Sequence, residues 1–336
     1  EAWDEIRELS KILNAPVLMT SNGRGILDER TAYGISGRFA TNKLIPEADV
    51  ILAIGTRFSM ASNMGLGGGV NVQGKLIQCD IDPDEIGRNY PAAVGLQTDA
   101  KLAAIALCEA LPKYNKSRDS REIELNNLKA AQTEAMSVMN WQAAMSQAIR
   151  KAIPDDGIVV SESTQVGYFI QGGGFPVYNP RTMMTSGYQG TLGYGYPTAL
   201  GVQVGNPDKV VVSVNGDGGF MYNVQELSTQ AEFEIPLITL VFADGLFGNV
   251  KRIQQEKYSG HGMSTKLNNP DFAALAELFG VTGYRANTSE ELFSTLTTAI
   301  ENRKPALIEV TQPPTPELSS PMVMKQEPAR PIVNWP

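Results

Sequence analysis

Two Asp-Gly pairs, Asp217-Gly218 and Asp244-Gly245, stand 27 positions apart, each closing a short run rich in β-branched and apolar residues. Carboxylate and carbonyl oxygens suit Mg2+, which keeps part of its coordination shell for water and phosphate oxygens. Bare glycine backbone, here Gly216, Gly218 and Gly219, lets N–H groups approach a phosphate, and a following helix N-terminus favours negative charge. The pattern reads as a diphosphate held through a divalent cation. One Asp-Gly pair marks an ordinary turn just as readily. Two of them, at matching ends of consecutive strands, favour the metal site.

Several elements must position these groups. Residues 209–214 and 236–242 read as strands buried on both faces, and residues 220–231 as a helix between them. A crossover between parallel strands brings both carboxyl ends to one edge of the sheet, where open α/β sheets bind ligands. Upstream, residues 157–160 form a strand, with Ser161-Glu162-Ser163-Thr164-Gln165 at its carboxyl end. Residues 186–199 are dense in glycine ahead of a small-residue helix, as expected where backbone passes close to a ligand. Asp271 is placed to charge the first turn of the helix after Pro270, and residues 306–310 form a last buried strand.

Residues 1–112 alternate helix and strand in the same way, which predicts a second sheet. The fold class expected is therefore α/β, with two doubly wound parallel-sheet domains. The expected boundaries are a Rossmann-like domain at 1–113, a charged linker at 114–140, the metal–diphosphate domain at 141–312, and a proline-rich tail at 313–336. Gly67-Gly68-Gly69 has no strand feeding it and no GxGxxG spacing, so a flexible loop is expected there rather than a dinucleotide site.

Gly216-Asp217-Gly218, followed by Asp244 and Gly248-Asn249, resembles the thiamine-diphosphate motif. Gly55-Thr56-Arg57-Phe58 and the run Asp80-Ile81-Asp82-Pro83 through Asn89 resemble patterns of the central domain in the acetolactate synthase branch of thiamine-diphosphate enzymes. The resemblance extends to about Gln312. It implies that Asp217, Asp244 and the Leu246 carbonyl ligate Mg2+, and that Gly218 and Gly219 meet the diphosphate. It also places Thr164, Gln165, Gly190, Thr191, Phe247, Gly248 and Asn249 around the cofactor, with Leu192 wedged between its two rings. The family often has two asparagines where this chain has Ala243-Asp244, and the aspartate adds a negative charge beside the diphosphate.

In some relatives the central domain binds FAD; in others it binds a different nucleotide or nothing. The corresponding positions are Thr20, Ser21, Asn22, Gly23, Gly34, Gly37, Arg57, Asp80, Ile81 and Asp99. The other reading of these residues is as turns and caps of a Rossmann-like sheet.

The resemblance implies decarboxylation of a 2-oxo acid or carboligation to a second carbonyl, the thiazolium carbon adding to the substrate and serving as electron sink. A lyase of 2-hydroxyacyl thioesters or a benzaldehyde-type lyase fits the same motifs, since Ile253 stands where the synthases carry a tryptophan. The family's catalytic glutamate belongs to an N-terminal pyrimidine-binding domain that these residues do not match. Glu162 and Glu226 do not occupy its position. No catalytic residue is expected within this chain; that domain would be on another chain or removed, and a homodimer or tetramer is expected. The start at Glu1, without an initiator methionine and almost inside a helix, points to a fragment. A rival of another class is a non-catalytic nucleotide-binding or regulatory module.

Composition narrows the rest. A net charge of −8 without a long basic run argues against nucleic acid. No apolar stretch is long enough to span a bilayer and no signal peptide is evident. Cys79 and Cys108 form neither a disulfide framework nor a zinc site, which fits a reducing cytoplasm. The single histidine, His261, excludes a multi-histidine metal centre and is read as a solvated loop residue rather than a substrate contact. A nicotinamide oxidoreductase would need GxGxxG after a strand, and none is present.

Overall fold

A computed structural model of the chain describes residues 1–58, 70–116, 118–187, 189–258 and 262–314. The Gly67-Gly68-Gly69 run, His261 and the proline-rich tail beyond residue 314 lie outside the described residues.

The first half opens with α1 (Trp3–Leu13), which stops at Asn14 in the left-handed conformation, φ 48°. Strands β1 (Val17–Leu18) and β2 (Gly34–Ile35) pair in parallel. After α2 (Arg38–Glu47), strands β3 (Val50–Ile54), β4 (Lys75–Asp80) and β5 (Val94–Gln97) form a parallel sheet in that order. Helix α3 (Ala100–Ala110) starts where the Asp99 carboxylate accepts the N–H groups of Lys101 and Leu102, two donors that a helix start leaves without partners. The segment read as a linker contains α4 (Glu122–Met136), and Leu125 and Gln132 on it are buried. Gln132 donates to the Ser36 carbonyl and accepts from the Ala40 N–H, so α4 is tied to the first half.

The second half is built on a six-stranded sheet, every pairing in it parallel. Its elements in chain order are α5 (Asn140–Ala152), β6 (Ile158–Ser161), α6 (Gln165–Phe169), β7 (Met183–Thr185), α7 (Gly195–Gly205), β8 (Val211–Gly216), α8 (Asp217–Phe220), α9 (Leu227–Glu232), β9 (Ile238–Ala243), α10 (Gly248–Lys257), α11 (Phe272–Phe279), β10 (Thr282–Ala286), α12 (Ser289–Asn302) and β11 (Ala306–Thr311). The spatial order is β10-β11-β9-β8-β6-β7. Both faces are covered, which explains the unbroken apolar runs. Val159, Val214 and Leu240 pack with Met145 and Ile149 of α5 and Leu292 and Leu296 of α12. Val160, Val211 and Val241 pack with Leu200 of α7, Phe220 of α8 and Phe272 of α11. The fold is α/β with parallel-strand sheets.

The strand order positions the site. From β6 the chain moves outward to β7 and then returns past β6 to add β8 on its other side. Such a reversal opens a crevice at the carboxyl ends of the two strands that flank it, here β6 and β8.

The helix expected over 220–231 is broken in three. It starts earlier, at Asp217, as α8; a tighter 3-10 segment, Met221–Glu226, follows; and α9 resumes at Leu227. Asn223 leaves helical geometry at φ −134°, ψ 27°, and its side chain donates to the Gly193 carbonyl. That tertiary hydrogen bond overrides the helical pattern.

Candidate cofactor site

The site is assembled where β6, β8 and β9 end. Asp217 is the first residue of α8 and almost fully buried. Its Oδ1 accepts the N–H of Gly218 at 2.8 Å, and its Oδ2 accepts the N–H of Gly245 at 2.8 Å and the side-chain amide of Asn269 at 2.7 Å. Burial raises the Asp217 carboxyl above the usual range against the pull of these donors, and the charge of Asp244 raises it further. Asp244 follows β9 directly and accepts the Leu246 N–H at 3.1 Å. Gly245 between them has φ +70°, a conformation glycine adopts without strain.

The two Asp-Gly turns therefore lie against each other, linked by the Gly245–Asp217 hydrogen bond. The second turn is held from outside by a short antiparallel contact. Leu246 bridges to Lys266, Phe247 donates to the Thr265 carbonyl at 2.8 Å, and Leu267 donates to the Gly245 carbonyl at 2.8 Å. Two residues further on, Asn269 reaches back to Asp217. Gly248 and Asn249 open α10, where Asn249 accepts from Arg252 at 2.8 Å.

Space explains two of the glycines. A Cβ on Gly218 would fall 2.5 Å from the Phe247 ring, and one on Gly219 would fall 2.0 Å from Glu162 Oε1. Gly216 has only ordinary contacts at that position. Phe220, the next residue, anchors α8 from below, its ring edge-on to Phe272 at 5.7 Å and tilted against Tyr196 at 5.0 Å. Burying a ring of this size contributes roughly 1.5–3 kcal/mol.

Around this centre, Thr164 and Gln165 are buried at the start of α6, and Gln165 Oε1 is buried without a hydrogen-bond partner among the described residues. Leaving such an acceptor unpaired costs about 1–3 kcal/mol, and a ligand donor would remove that cost. Gly190 and Thr191 are exposed and Leu192 is half-buried. Ile253, half-buried, lies on α10.

Sequence reasoning did not assign Asn269 a role, and it set Glu162 aside. Glu162 is buried at the end of β6, its Oε1 accepting the Gly193 N–H at 2.6 Å and its Oε2 the Gly195 N–H at 2.9 Å. Burial raises its carboxyl, and the two N–H groups offset only part of that rise. An acidic residue placed directly after a four-residue buried strand was the available signal. Glu226 sits at the start of α9, accepts the Thr229 hydroxyl and has no such link.

The positions read as a nucleotide site in the first half divide. Asp80 ends β4, Ile81 follows it, Arg57 and Asp99 follow the carboxyl ends of β3 and β5, and Ile81 is 70% exposed. Thr20, Ser21, Asn22 and Gly23 form a turn after β1, where Asn22 accepts the Thr185 hydroxyl at the end of β7. Gly34 and Gly37 are packed against protein: a Cβ there would lie 2.6 Å from the Asp28 carbonyl and 2.8 Å from Gln132 and the Gly172 carbonyl.

Among the described residues no helix is long and apolar enough to cross a membrane, and both cysteines are free.

Comparison with known proteins gives the same architecture a family. Residues 1–107 match the thiamine pyrophosphate enzyme central domain, and residues 166–310 match the C-terminal TPP binding domain. A probable acetolactate synthase large subunit from Methanococcus aeolicus is 31% identical over 95% of this chain and 57% of its own length. The acetolactate synthase isozyme 3 large subunit of Escherichia coli is 30% identical over 91% of this chain and 56% of its own length. A probable 2-ketoarginine decarboxylase from Pseudomonas aeruginosa is 31% identical over 87% and 52%. The chain thus spans about half the length of the curated relatives it matches. With both domain matches and these relatives in hand, the chain belongs to the thiamine pyrophosphate enzyme family, on its acetolactate synthase-like branch.

Proposed function

We propose that this chain anchors thiamine diphosphate through Mg2+ in an enzyme that cleaves a 2-oxo acid beside its carbonyl and either protonates the acyl unit or joins it to a second carbonyl. The observation that carries the reading is the pair of Asp-Gly turns bonded to each other at adjoining strand ends, next to the reversal in strand order. Asp217, Asp244 and the Leu246 carbonyl would hold the cation. They form an all-oxygen set of the kind Mg2+ takes, and a cation there relieves the mutual repulsion of two carboxylates, one of them buried.

The Gly219 N–H at the start of α8, with Thr164 and Gln165 at the start of α6, would face the diphosphate, and Gly218, whose N–H is taken by Asp217 Oδ1, would border it. Gly190, Thr191 and Leu192 would flank the rings, and Phe247, Gly248 and Asn249 complete the wall beyond the second turn. When bound, the coenzyme supplies a nucleophilic carbon and an electron sink for the departing carboxylate. The chain's own residues fix its position and exclude water around it.

The name of one relative, a probable 2-ketoarginine decarboxylase, points to a 2-oxo acid as substrate. The glutamate that must stand beside the coenzyme's aminopyrimidine is assigned to a pyrimidine-binding domain outside these 336 residues. Glu162 is committed to Gly193 and Gly195, and Glu226 to the start of α9. The active particle is then a dimer or tetramer in which that domain meets this one. A flavin or other nucleotide would lie across the ends of β3, β4 and β5, where the apolar Ile81 is left exposed. A flavin absorbance spectrum from the purified protein would establish it.

Calorimetric titration of the 336-residue chain with thiamine diphosphate tests the central claim. Binding should require Mg2+, and Asp217→Asn should weaken it by on the order of 100-fold or more, beyond the effect of losing an outer-shell partner. Equal binding with and without Mg2+, or no effect of Asp217→Asn, would overturn the reading. Steady consumption of a 2-oxo acid by this chain alone would overturn the assignment of the glutamate elsewhere.

A further inference from the structure

Glu162 is a buried carboxylate with no cationic partner among the described residues, and its two oxygens are spent on two backbone N–H groups, those of Gly193 in the loop and of Gly195 at the start of α7. A buried charge is costly unless it is well hydrogen-bonded, so a role is expected where one is retained. The Gly193 peptide is also gripped from its other end, its carbonyl accepting from Asn223 Nδ2 at 2.7 Å. Asn223 makes that bond only by leaving helical geometry. There is no room for a side chain on Gly193 in this grip, since a Cβ on it would sit 2.8 Å from both Asn223 Nδ2 and the Tyr222 Cβ.

Among the described residues nothing comparable holds the loop on its upstream side. Gly190 has φ +63° and open space where a Cβ would be, and Thr191 is exposed. The attitude of Leu192 is therefore set from Gly193. Glu162 also touches the first turn of α8, against Gly219, so it links the loop to the helix that begins with Asp217.

We propose that Glu162 and Asn223 are positioning residues that clamp the Gly193 peptide from both sides and thereby hold Leu192 against the rings of the bound cofactor. This rests on the cofactor reading above. The clamp's hydrogen bonds end on the backbone next to Leu192, and Glu162→Gln keeps the shape that packs against Gly219, so the substitution acts on the ring-binding part of the site and leaves the diphosphate-binding part in place.

The test uses the whole chain, Glu162→Gln and Asn223→Ala variants, and two probes with Mg2+: thiamine diphosphate and inorganic diphosphate, which lacks the rings. Hydrogen exchange without any ligand comes first. The Gly193 and Gly195 amides should exchange about tenfold or more faster in Glu162→Gln, as expected when a hydrogen bond to a charged acceptor is lost. Calorimetry should then show thiamine diphosphate binding weakened about tenfold in both variants, with inorganic diphosphate changed by no more than about twofold. If Glu162→Gln does not fold, Asn223→Ala, which acts from a half-buried position, decides by the same comparison.

Equal losses for both probes would overturn the clamp, because Glu162 would then serve the diphosphate edge. Unchanged thiamine diphosphate affinity in both variants would overturn it too. Should the unmutated chain bind inorganic diphosphate as tightly as thiamine diphosphate, the ring contact falls while the metal–diphosphate edge stands. If it binds neither probe, the cofactor reading falls and the clamp with it.

Discussion

At Asp217 one carboxylate accepts three hydrogen bonds, and only the two from Gly218 and Gly245 come from the local turns. The third, from Asn269, comes from a segment 52 residues away. A ligand carboxylate fixed by an outer hydrogen bond presents its lone pairs in one direction, and losing such a partner typically costs 10–100-fold in metal affinity. Asn269→Ala should therefore weaken Mg2+ binding by about that factor at fixed thiamine diphosphate. A Mg2+ titration followed by calorimetry checks this, and unchanged Mg2+ affinity would show that Asn269 only fills space. The contrast with Asp217 and Asp244 shows what a sequence exposes. Those two were legible because a strand end followed by Asp-Gly restricts the backbone locally, and parallel strands bring such ends together. Asn269 was not, because its approach depends on the Leu246–Lys266 bridge, a pairing no local pattern encodes. Glu162 was visible as an acid after a buried strand, but its partners lie 31 and 33 residues on, in a loop whose shape the sequence does not specify.

The strands of the second half were readable as elements, since β6, β8 and β9 are short apolar runs buried on both faces. Helical periodicity failed between Asp217 and Glu232, where the Asn223–Gly193 hydrogen bond interrupts the helix and α8 starts at Asp217, inside the glycine run and three residues ahead of the expected start at Phe220. This difference shows in how glycines should respond to alanine. Gly201 lies inside α7 with open space where a Cβ would go, so Gly201→Ala should stabilise the protein by about 0.5–1 kcal/mol. Gly219 is also helical, yet a Cβ there would meet Glu162 Oε1 at 2.0 Å, and the carboxylate can move away only by giving up its bond to Gly193. Gly219→Ala should therefore destabilise, by about 1–3 kcal/mol for the lost buried hydrogen bond. Urea denaturation of the two variants checks the opposite signs; stabilisation by both would mean that α8 is an ordinary helix start with room to spare.

Across the whole molecule, a buried ion pair of the first half, Arg24–Glu29, reaches into the second half through hydrogen bonds and supports the candidate site. Arg24 and Glu29 are both nearly inaccessible, and the guanidinium donates from Nε and Nη2 to the two carboxylate oxygens at 2.7 Å each. The remaining Arg24 hydrogens go to the carbonyls of Ile170 and Phe175 and to Met183 Sδ, and the Val177 N–H closes on Glu29 at 3.0 Å. Those carbonyls bracket the turn that follows α6, the helix that begins with Gln165, so a residue of the first half fixes a wall of the candidate site in the second. Removing one member of a buried pair leaves the other charge uncompensated and costs about 3–5 kcal/mol, whereas replacing both with apolar residues of similar volume is often neutral. Arg24→Ala should therefore lower stability by about 3–5 kcal/mol and split one calorimetric transition into two, while Arg24→Met with Glu29→Leu should recover most of the loss. The double replacement keeps the packing but removes the hydrogen bonds to Ile170 and Phe175, so thiamine diphosphate affinity should stay below that of the unmutated chain even where stability returns. Full recovery of both would mean that the pair serves the join between the halves and has no part in shaping the site.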